Sequence, residues 1–302
     1  MAGLKELRTR IGSIKSTQKI TSAMKMVAAA RLRRAQEVLA RSKHYSDDLM
    51  TLVGRLYRDM REEEQGTNIR YVFPKIIQPV LTPDNYLLVV FSSDRGLCGS
   101  YNAYVIRESV RRIRELRKNG KSVKVLSIGK KAGDGIKHRI PDVEVEILNG
   151  VAAKGADYRE VQVICERLLK EYTEKQFDVC EVVYTHFNSA INREVKVEQY
   201  IPYALDTDDE RYDNKVDNAF YEYDASKQKI FIDTVLMLMI SIFFQYLLNS
   251  QTSEHGARMT SMDNATRNAN DMIAKLTLKY NRLRQTAITT ELIEIISGAE
   301  AL

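Results

Sequence analysis

The segment FSSDRGLCGSYN, residues 91–102, combines the residue types in this sequence that are best suited to chemistry. It follows the apolar run YLLVVF (86–91), and it places Cys98 between two glycines. A thiol at a turn after a strand could act as a nucleophile if a base and an orienting group lay beside it. None of the four histidines has a protease-type signature around it. The sequence therefore favours a small, partly buried thiol beside a tight turn.

Two glycine-containing segments are candidates for phosphate binding by composition. RGLCGS (95–100) lacks the GxGxxG spacing and the lysine and hydroxyl of a GxxxxGK[ST] loop, and the glycines of IGKKAGDGI (128–136) are wrongly spaced. The second segment is expected to be a strand-to-helix turn in which Gly133 and Gly135 relax the backbone. The sequence also contains no HExxH motif and no metal-ligand spacing of Cys and His. We expect no metal and no cofactor.

The charge is concentrated at the N-terminus. The net charge of the chain is +6, yet residues 1–45 hold eleven Lys and Arg against two Glu. Such a segment must face nucleic acid, lipid headgroups or an acidic protein surface. Its cations alternate with an apolar helical stripe, and stacking aromatic residues are absent before His44, so nucleic acid is disfavoured. The N-terminus lacks the apolar core of a secretory signal, and three widely separated cysteines indicate a reducing compartment.

The two ends of the chain are predicted to form long helices. Five prolines in 302 residues leave long segments without interruption. Residues 1–60 carry an apolar stripe with a polar break at 17–19, and residues 226–298 begin at a favourable N-cap serine and end at Gly298. The first stripe consists of Leu4, Leu7, Ile11, Ile14, Ile20, Met24, Val27, Leu32, Ala35 and Leu39, and the second of Met262, Ala265, Ala269, Met272, Leu276, Tyr280, Leu283 and Ala287.

Each terminal helix has an apolar seam and no partner within its own segment. We therefore predict that they form an antiparallel coiled coil with each other, with a rod of roughly 80 Å contributed by the first helix. The most apolar run, residues 235–248, is shorter than the roughly 20 residues that span a bilayer. It is expected to be a buried part of the second helix.

The middle of the chain, residues 74–223, is predicted to be an inserted α/β domain. Apolar runs at 86–91, 123–129, 143–148 and 179–187 are typical of strands, and 195–205 is predicted to add an edge strand limited by Pro202. Helical patterns at 103–120 and 158–176 alternate with them. This alternation indicates a Rossmann-like α/β layer with a largely parallel sheet. The fold class is thus a long antiparallel coiled coil of the N- and C-terminal helices with an inserted α/β domain.

Three segments together resemble one family, the gamma subunit of the F-type ATP synthase. They are KITSAMKMVAAARLRRAQ (19–36), SSDRGLCGSYN (92–102) and the segment from EHGARMTSMDNATRN to the C-terminus (254–302). The order of rod, α/β domain and rod agrees as well, so the resemblance extends from end to end. One departure is residues 235–248, which are more apolar than in the family. The cysteine-bearing insert of the chloroplast relatives is also missing.

The resemblance implies a rotor shaft without catalytic residues of its own. It would couple rotation of the membrane c-ring to ATP synthesis or hydrolysis on beta subunits, within a ring of alternating alpha and beta subunits. The α/β domain would contact the epsilon subunit and the c-ring, at the cytoplasmic face of a bacterial inner membrane. The motif matches carry subunit-contact or coupling roles to Lys19, Met24, Arg95, Cys98, Arg258, Arg267, Arg284, Gln285, Thr289 and Glu291.

One alternative from another class stays open at this point. The chain could be a coiled-coil scaffold whose α/β domain binds a small ligand or is an enzyme. That hypothesis requires a pocket with convergent polar groups at the strand ends. A nucleic-acid-binding protein would instead show strongly salt-dependent binding.

Overall fold

The computed structural model describes residues 2–151, 155–205 and 226–300. Two very long helices dominate it, α1 at Ala2–Gly66 and α5 at Lys227–Glu300. At about 1.5 Å per residue they are each on the order of 100 Å long. The helix α1 continues through the polar residues 17–19 without a break and beyond residue 60, and α5 continues past Gly298. The predicted stop at Gly298 is therefore wrong, whereas a single continuous helix through residues 17–19 agrees with the prediction.

The two long helices pack against each other in antiparallel orientation, as predicted. Lys25 of α1 lies opposite Asp263 of α5, whereas Ser46, further along α1, lies opposite Ser241. The buried and half-buried positions of α1 recur in alternating steps of four and three residues, which is the heptad of a coiled coil. These positions are Leu7, Ile11, Ile14, Gln18, Thr21, Lys25, Ala28, Leu32, Ala35, Leu39, Ser42, Ser46, Leu49, Val53, Leu56 and Met60.

The seam differs from the predicted apolar stripes at several positions. Ile20 and Val27 are 60% and 54% exposed, and on α5 Met272 and Leu283 are also exposed. At these points the seam positions of the heptad are occupied by polar residues. The prediction was wrong there because it placed the stripe on the nearest apolar residue in the sequence. Three of those polar residues, Thr21, Lys25 and Ser46, are paired across the seam, and Thr266 donates to Thr21 at 2.8 Å. Pairing removes the penalty that a buried polar group would otherwise carry.

Between the long helices the chain forms a five-stranded sheet with three helices. The strands are β1 (Asn85–Phe91), β2 (Ser122–Ile128), β3 (Glu144–Leu148), β4 (Val179–Phe187) and β5 (Arg193–Ile201). The helices are α2 (Tyr101–Lys118), α3 (Lys130–Arg139) and α4 (Tyr158–Thr173), and a short 3-10 helix occupies Lys75–Ile77. The sheet order is β3-β2-β1-β4-β5, with all neighbours parallel except β4 and β5. This confirms the predicted parallel-dominated α/β fold with an edge strand before Pro202.

The sheet is covered on both faces, which explains why its central strands are apolar on both sides. One face packs against α4 and the two long helices, with Phe91, Tyr200 and Phe243 at its centre. The other face packs against α2 and α3. A partly buried ion pair, Arg112 with Glu181, lies between α2 and β4, with the two N···O distances at 2.7 and 2.5 Å.

The helix α3 is a correction to the sequence prediction. Residues 130–139, expected to be part of a turn, form a helix in which Gly133 and Gly135 are interior positions. A Cβ on Gly133 would lie 2.5 Å from Ile147, and one on Gly135 would lie 2.6 Å from Ile106. These glycines therefore allow α3 to approach β3 and α2 closely. The turn itself is made by Gly129, whose φ of 106° suits glycine.

The apolar residues 235–248 form the part of α5 that is packed most tightly into the molecule. Among the described residues, α5 meets the length and composition of a membrane-crossing helix. Most side chains of this stretch are nevertheless buried against α1, α4 and the sheet, with Leu236 and Met237 as exposed exceptions. The prediction of a buried helix segment is confirmed. It also explains the apolar composition, since this stretch serves both the coiled coil and the domain core.

Candidate subunit-contact surface

The loop that follows β1, residues 92–100, is held in shape by its own hydrogen bonds. Ser93 Oγ donates to the Arg95 carbonyl at 2.7 Å, and the Ser93 backbone N–H donates to Asn102 Oδ1 at 3.1 Å. The Asn102 amide also donates to Cys98 Sγ at 3.2 Å. The Cys98 side chain is only 2% exposed. These contacts make Cys98 a packing residue of the turn, as the sequence favoured.

Asp94 fixes this loop to two neighbouring segments of the α/β domain. One carboxylate oxygen accepts from the Lys130 backbone N–H at 3.0 Å, at the start of α3. The other accepts from the Gly150 N–H at 3.1 Å. A carboxylate at a helix N-terminus is favoured by the helix dipole as well as by the hydrogen bond. The loop is therefore rigidly placed relative to the sheet.

Arg258 of α5 joins the loop to the coiled coil of α1 and α5. Its guanidinium donates to the Gly96 carbonyl at 3.1 Å and to the Arg95 carbonyl at 3.5 Å. The same guanidinium contacts Glu254 one turn earlier on α5, at 2.5 Å. Burial raises the pKa of the Glu254 carboxyl, and the Arg258 charge opposes that shift. The pair is thus a charge-assisted clamp between helix and loop.

The clamp presents Arg95 and Leu97 to solvent. Leu97 has a φ of 64°, in the left-handed region that non-glycine residues rarely adopt, and its side chain is 61% exposed. Arg95 is also exposed while its carbonyl is held by Arg258. An exposed apolar side chain on a fixed, strained backbone is suited to contact with another protein.

A second group of predicted residues lies along the coiled coil. Met24 is half-buried at the side of the seam, next to Lys25, which is paired with Asp263 at 2.5 Å. The same aspartate binds Arg267 at 2.6 Å. Met24 thus directly precedes the lysine of an ion-pair group that contains Arg267. Lys19, one to two turns earlier in α1, is exposed.

The remaining predicted residues lie near the free end of α5. If the pairing of Lys25 with Asp263 and of Thr21 with Thr266 continues, the first residues of α1 lie beside residues near 283. Residues further along α5 then extend past the end of α1. Four exposed predicted residues lie at or beyond this end: Arg284, Gln285, Thr289 and Glu291. Around them are exposed apolar side chains: Ile288, Leu292, Ile293, Ile295 and Ile296.

The predicted site residues thus form three separate groups rather than one site. Sequence reasoning missed Glu254, which forms the clamp with Arg258, and Asp94 and Asn102, which hold the loop in place. The spacing of Glu254 and Arg258, four residues apart on a helix, was a usable signal for that ion pair. Asp94 gave no comparable signal, since its partners, the backbone N–H groups of Lys130 and Gly150, are distant in sequence.

Within the described ranges, no group of three or more His, Cys, Asp and Glu side chains is arranged to hold a metal ion. A surface cavity of about 400 Å³ is lined by Tyr57, Arg58, Arg61, Glu62 and Gln65. All five belong to α1, whereas the ligand-binding alternative requires polar groups at the ends of the strands.

Comparison with known proteins gives a consistent result over the whole chain. The family described as ATP synthase matches residues 3–302. The ATP synthase gamma chain of Rhodospirillum rubrum is 43% identical over 312 residues, with all of both chains covered, and that of Pelagibacter ubique is 37% identical over 302 residues, again with full coverage. A chain of the Tetrahymena thermophila mitochondrial ATP synthase central stalk and c-ring structure is 26% identical, covering 82% of this chain and 99% of that one at a TM-score of 0.55. A chain of the Euglena gracilis mitochondrial enzyme, at 18% identity, covers 99% of this chain and 94% of that one, with a TM-score of 0.64, and supports the fold.

A long two-helix coiled coil packed against an α/β domain, together with this similarity, defines a non-catalytic stalk protein. The similarity along the whole chain then specifies the family of stalk proteins. The chain belongs to the ATP synthase gamma chain family.

Proposed function

We propose that the protein is the central rotor shaft of a proton-translocating F-type ATP synthase. In this role it couples rotation of the membrane c-ring to ATP synthesis or hydrolysis on beta subunits. The observation that carries the proposal is the antiparallel pairing of α1 with α5 into a rod on the order of 100 Å long. A rod of that length can extend through a ring of subunits while its base remains attached to another assembly.

The upper part of the rod is assigned to contact with alpha and beta subunits. The outward face of α1 is strongly basic, because the Lys and Arg residues of positions 1–45 lie mostly outside the seam. An acidic segment of a beta subunit is the complementary partner, and attraction of this kind is sensitive to ionic strength. The exposed side chains of the loop, Arg95 and Leu97, lie within reach of the same ring.

The α/β domain is assigned to the base of the shaft, with the epsilon subunit and the c-ring as its partners. We propose that residues 1–60 and 226–298 serve as the shaft and residues 74–223 as the base, although 206–223 lie outside the described residues. The whole complex would be peripheral at the cytoplasmic face of a bacterial inner membrane. The full-length bacterial relatives support this location.

The predicted contact residues take separate roles in this proposal. Lys19, Met24 and Arg267 face the ring along the rod, and Arg258 and Cys98 hold the contact loop in place. Arg284, Gln285, Thr289 and Glu291 contact ring loops near the free end of α5, where the exposed isoleucines can be held laterally. Contact with charged groups is worth about 1.5–3 kcal/mol per hydrogen bond, enough to bias one site and weak enough to break on each turn.

The test is replacement of Arg284 and Gln285 by alanine in the assembled complex. Both side chains are exposed, so helix content and assembly should be retained, while ATP turnover should fall several-fold if roughly 1–2 kcal/mol of coupling is lost. Exposed Lys279 and Asn281, replaced by alanine together, form the matched control on the same helix. Unchanged turnover in a fully assembled double variant would assign Arg284 and Gln285 to a solvated face.

A further inference from the structure

The carboxyl end of β4 extends beyond its parallel neighbour. The pairing of β1 with β4 ends at Val90 opposite Val183, whereas β4 continues to Phe187. On its other side β4 remains paired with β5 up to Phe187. Within the described residues, the last four residues of β4 therefore have one edge that no strand covers. Buried backbone groups on such an edge need other partners.

The helix α5 supplies those partners from its side chains. Ser250 Oγ accepts the Thr185 N–H at 3.4 Å, and Asn249 Oδ1 accepts the Phe187 N–H at 3.2 Å. Ser253 Oγ donates to the Thr185 carbonyl at 3.1 Å. Thr185 and Phe187 are two residues apart, so their backbone groups point to the same edge of the strand. One face of α5 thus completes the ladder that β1 leaves unfinished.

This contact is buried and continues beyond the strand. The three α5 side chains are between 0% and 8% exposed. Arg193, at the start of β5, donates to the Ser253 carbonyl at 3.5 Å, and Thr260 donates to the Ala190 carbonyl at 3.4 Å. A Cβ on Gly256 would lie 3.4 Å from Ala190 Cα, so the glycine allows α5 close to the β4–β5 turn.

We propose that Asn249, Ser250 and Ser253 are positioning residues that lock the α/β domain to the shaft against rotation. Hydrophobic packing between α5 and the sheet is non-directional and allows small sliding movements. Hydrogen bonds from a helix face to a strand edge are directional, and they fix the angle of the domain around the axis of α5. The inference rests on the proposed rotor function, since only a turning shaft needs this angle to be fixed.

The first test uses amide hydrogen exchange in the full chain and needs no rotation. In the variant Asn249→Ala/Ser253→Ala, the amide of Phe187 should exchange on the order of tenfold faster, because its acceptor, Asn249 Oδ1, is removed and the edge opens locally. Thr252→Val is the matched control. Thr252 is 0% exposed on the same turn of α5, but its hydroxyl donates to the Leu248 carbonyl of its own helix. Unchanged exchange in the double variant would overturn the proposal.

The second test measures ATP-driven proton pumping and ATP hydrolysis by the assembled complex in vesicles. We expect the double variant to lose at least half of the protons pumped per ATP while hydrolysis continues, and Thr252→Val to match the wild type. If the double variant does not assemble, Ser253→Ala alone should give the same direction with a smaller loss. A normal number of protons pumped per ATP, despite faster amide exchange, would show that the contact is ordinary packing and does not fix the angle of the domain. Absence of coupled pumping with the wild-type chain would instead overturn the proposed function.

Discussion

At the scale of single residues, the clamp between Arg258, Glu254 and the loop carbonyls joins α5 to the loop that follows β1. Arg258 itself was assigned from a motif match, but its partners were not. Two of them are backbone oxygens, which carry no side-chain signature. Cys98 was correctly favoured as a packing residue, because a nucleophilic thiol needs neighbours that the local sequence lacked.

Arg258→Ala should destabilise the chain by about 3 kcal/mol, because it leaves the Glu254 carboxylate largely buried without its partner. The loss should grow as pH rises. Burial raises the folded-state pKa of Glu254, so its stabilising contribution is full at low pH and declines as pH rises through that value. Without the opposing Arg258 charge the folded pKa rises further, with Asp94 and Arg31 as the other charges that act on it.

The measurement is urea unfolding of the full chain between pH 5 and pH 8. Arg267→Ala is the control, because Arg267 also pairs with an acid four residues before it on α5, Asp263, but is 75% exposed. Exposed pairs contribute less than about 1 kcal/mol, so this variant should change little. Equal losses in the two variants would contradict the clamp.

His255 should make the protein sensitive to acid. Burial, together with the Arg258 and Arg31 charges, lowers the pKa of His255 to about 4, and its Nδ1 is buried without a hydrogen-bond partner. A lowered folded pKa contributes stability above the unfolded value near 6.5, and that stability is lost as pH falls toward 4. Between pH 8 and pH 5 the loss should be about 2 kcal/mol. His255→Leu should remove this part of the pH dependence in urea unfolding, and an identical pH profile would refute the assignment.

At the scale of elements, the sequence predicted the strands well and α3 poorly. Strands β1 and β4 are buried on both faces, so their apolar runs were unambiguous. The helix α3 was missed because Gly133 and Gly135 lower helix propensity, while their packing role depends on Ile147 and Ile106, which come from other elements. In α3, packing against other elements outweighed the low helix propensity of the two glycines.

Gly133→Ala should destabilise the protein by about 1–3 kcal/mol, although alanine favours helices, because the new Cβ would collide with Ile147. Gly12→Ala is the matched control. Gly12 also lies within a helix, and a Cβ there meets nothing within 4 Å. That control should gain up to about 1 kcal/mol from propensity alone. Thermal unfolding of both variants checks the pair, and stabilisation by Gly133→Ala would contradict the packing account.

The sequence predicted that α1 and α5 pack in antiparallel orientation, but it did not predict which residues face each other across the seam. Its polar positions become intelligible only with their partners from the other helix. Ser46 and Ser241 are 2.6 Å apart between their hydroxyl oxygens, and Gln245 donates to Ser46 Oγ at 2.6 Å. Both serines are buried. A polar layer of this kind fixes the register of two helices that apolar contacts alone would allow to slip.

Ser46→Ala should therefore cost about 1–3 kcal/mol, since it leaves the Ser241 hydroxyl buried without this partner. Adding Ser241→Ala should recover part of that loss, because both polar groups are then removed. A double-mutant cycle in urea measures the interaction between the two sites. Strictly additive losses would show that the two hydroxyls do not act as a pair.

At the scale of the whole molecule, the order of rod, domain and rod was readable from the sequence because proline is scarce and the patterns change at clear boundaries. The resemblance identified the family, and the structure added how the parts are joined. Arg258 holds the contact loop to the shaft, and Asn249, Ser250 and Ser253 hold the edge of β4. A shaft that transmits torque needs such directional contacts at the junction of rod and domain.

The most direct test of the central claim is observation of single molecules of the chain within a surface-fixed ring of alpha and beta subunits. All three native cysteines are buried, so Leu81→Cys, at a position that is 93% exposed, provides one accessible thiol for a visible probe. With ATP, the account predicts rotation of the probe in one direction, with pauses at equally spaced angles, one for each beta subunit of the ring. ATP hydrolysis by the same molecules without any rotation of the probe would contradict the account.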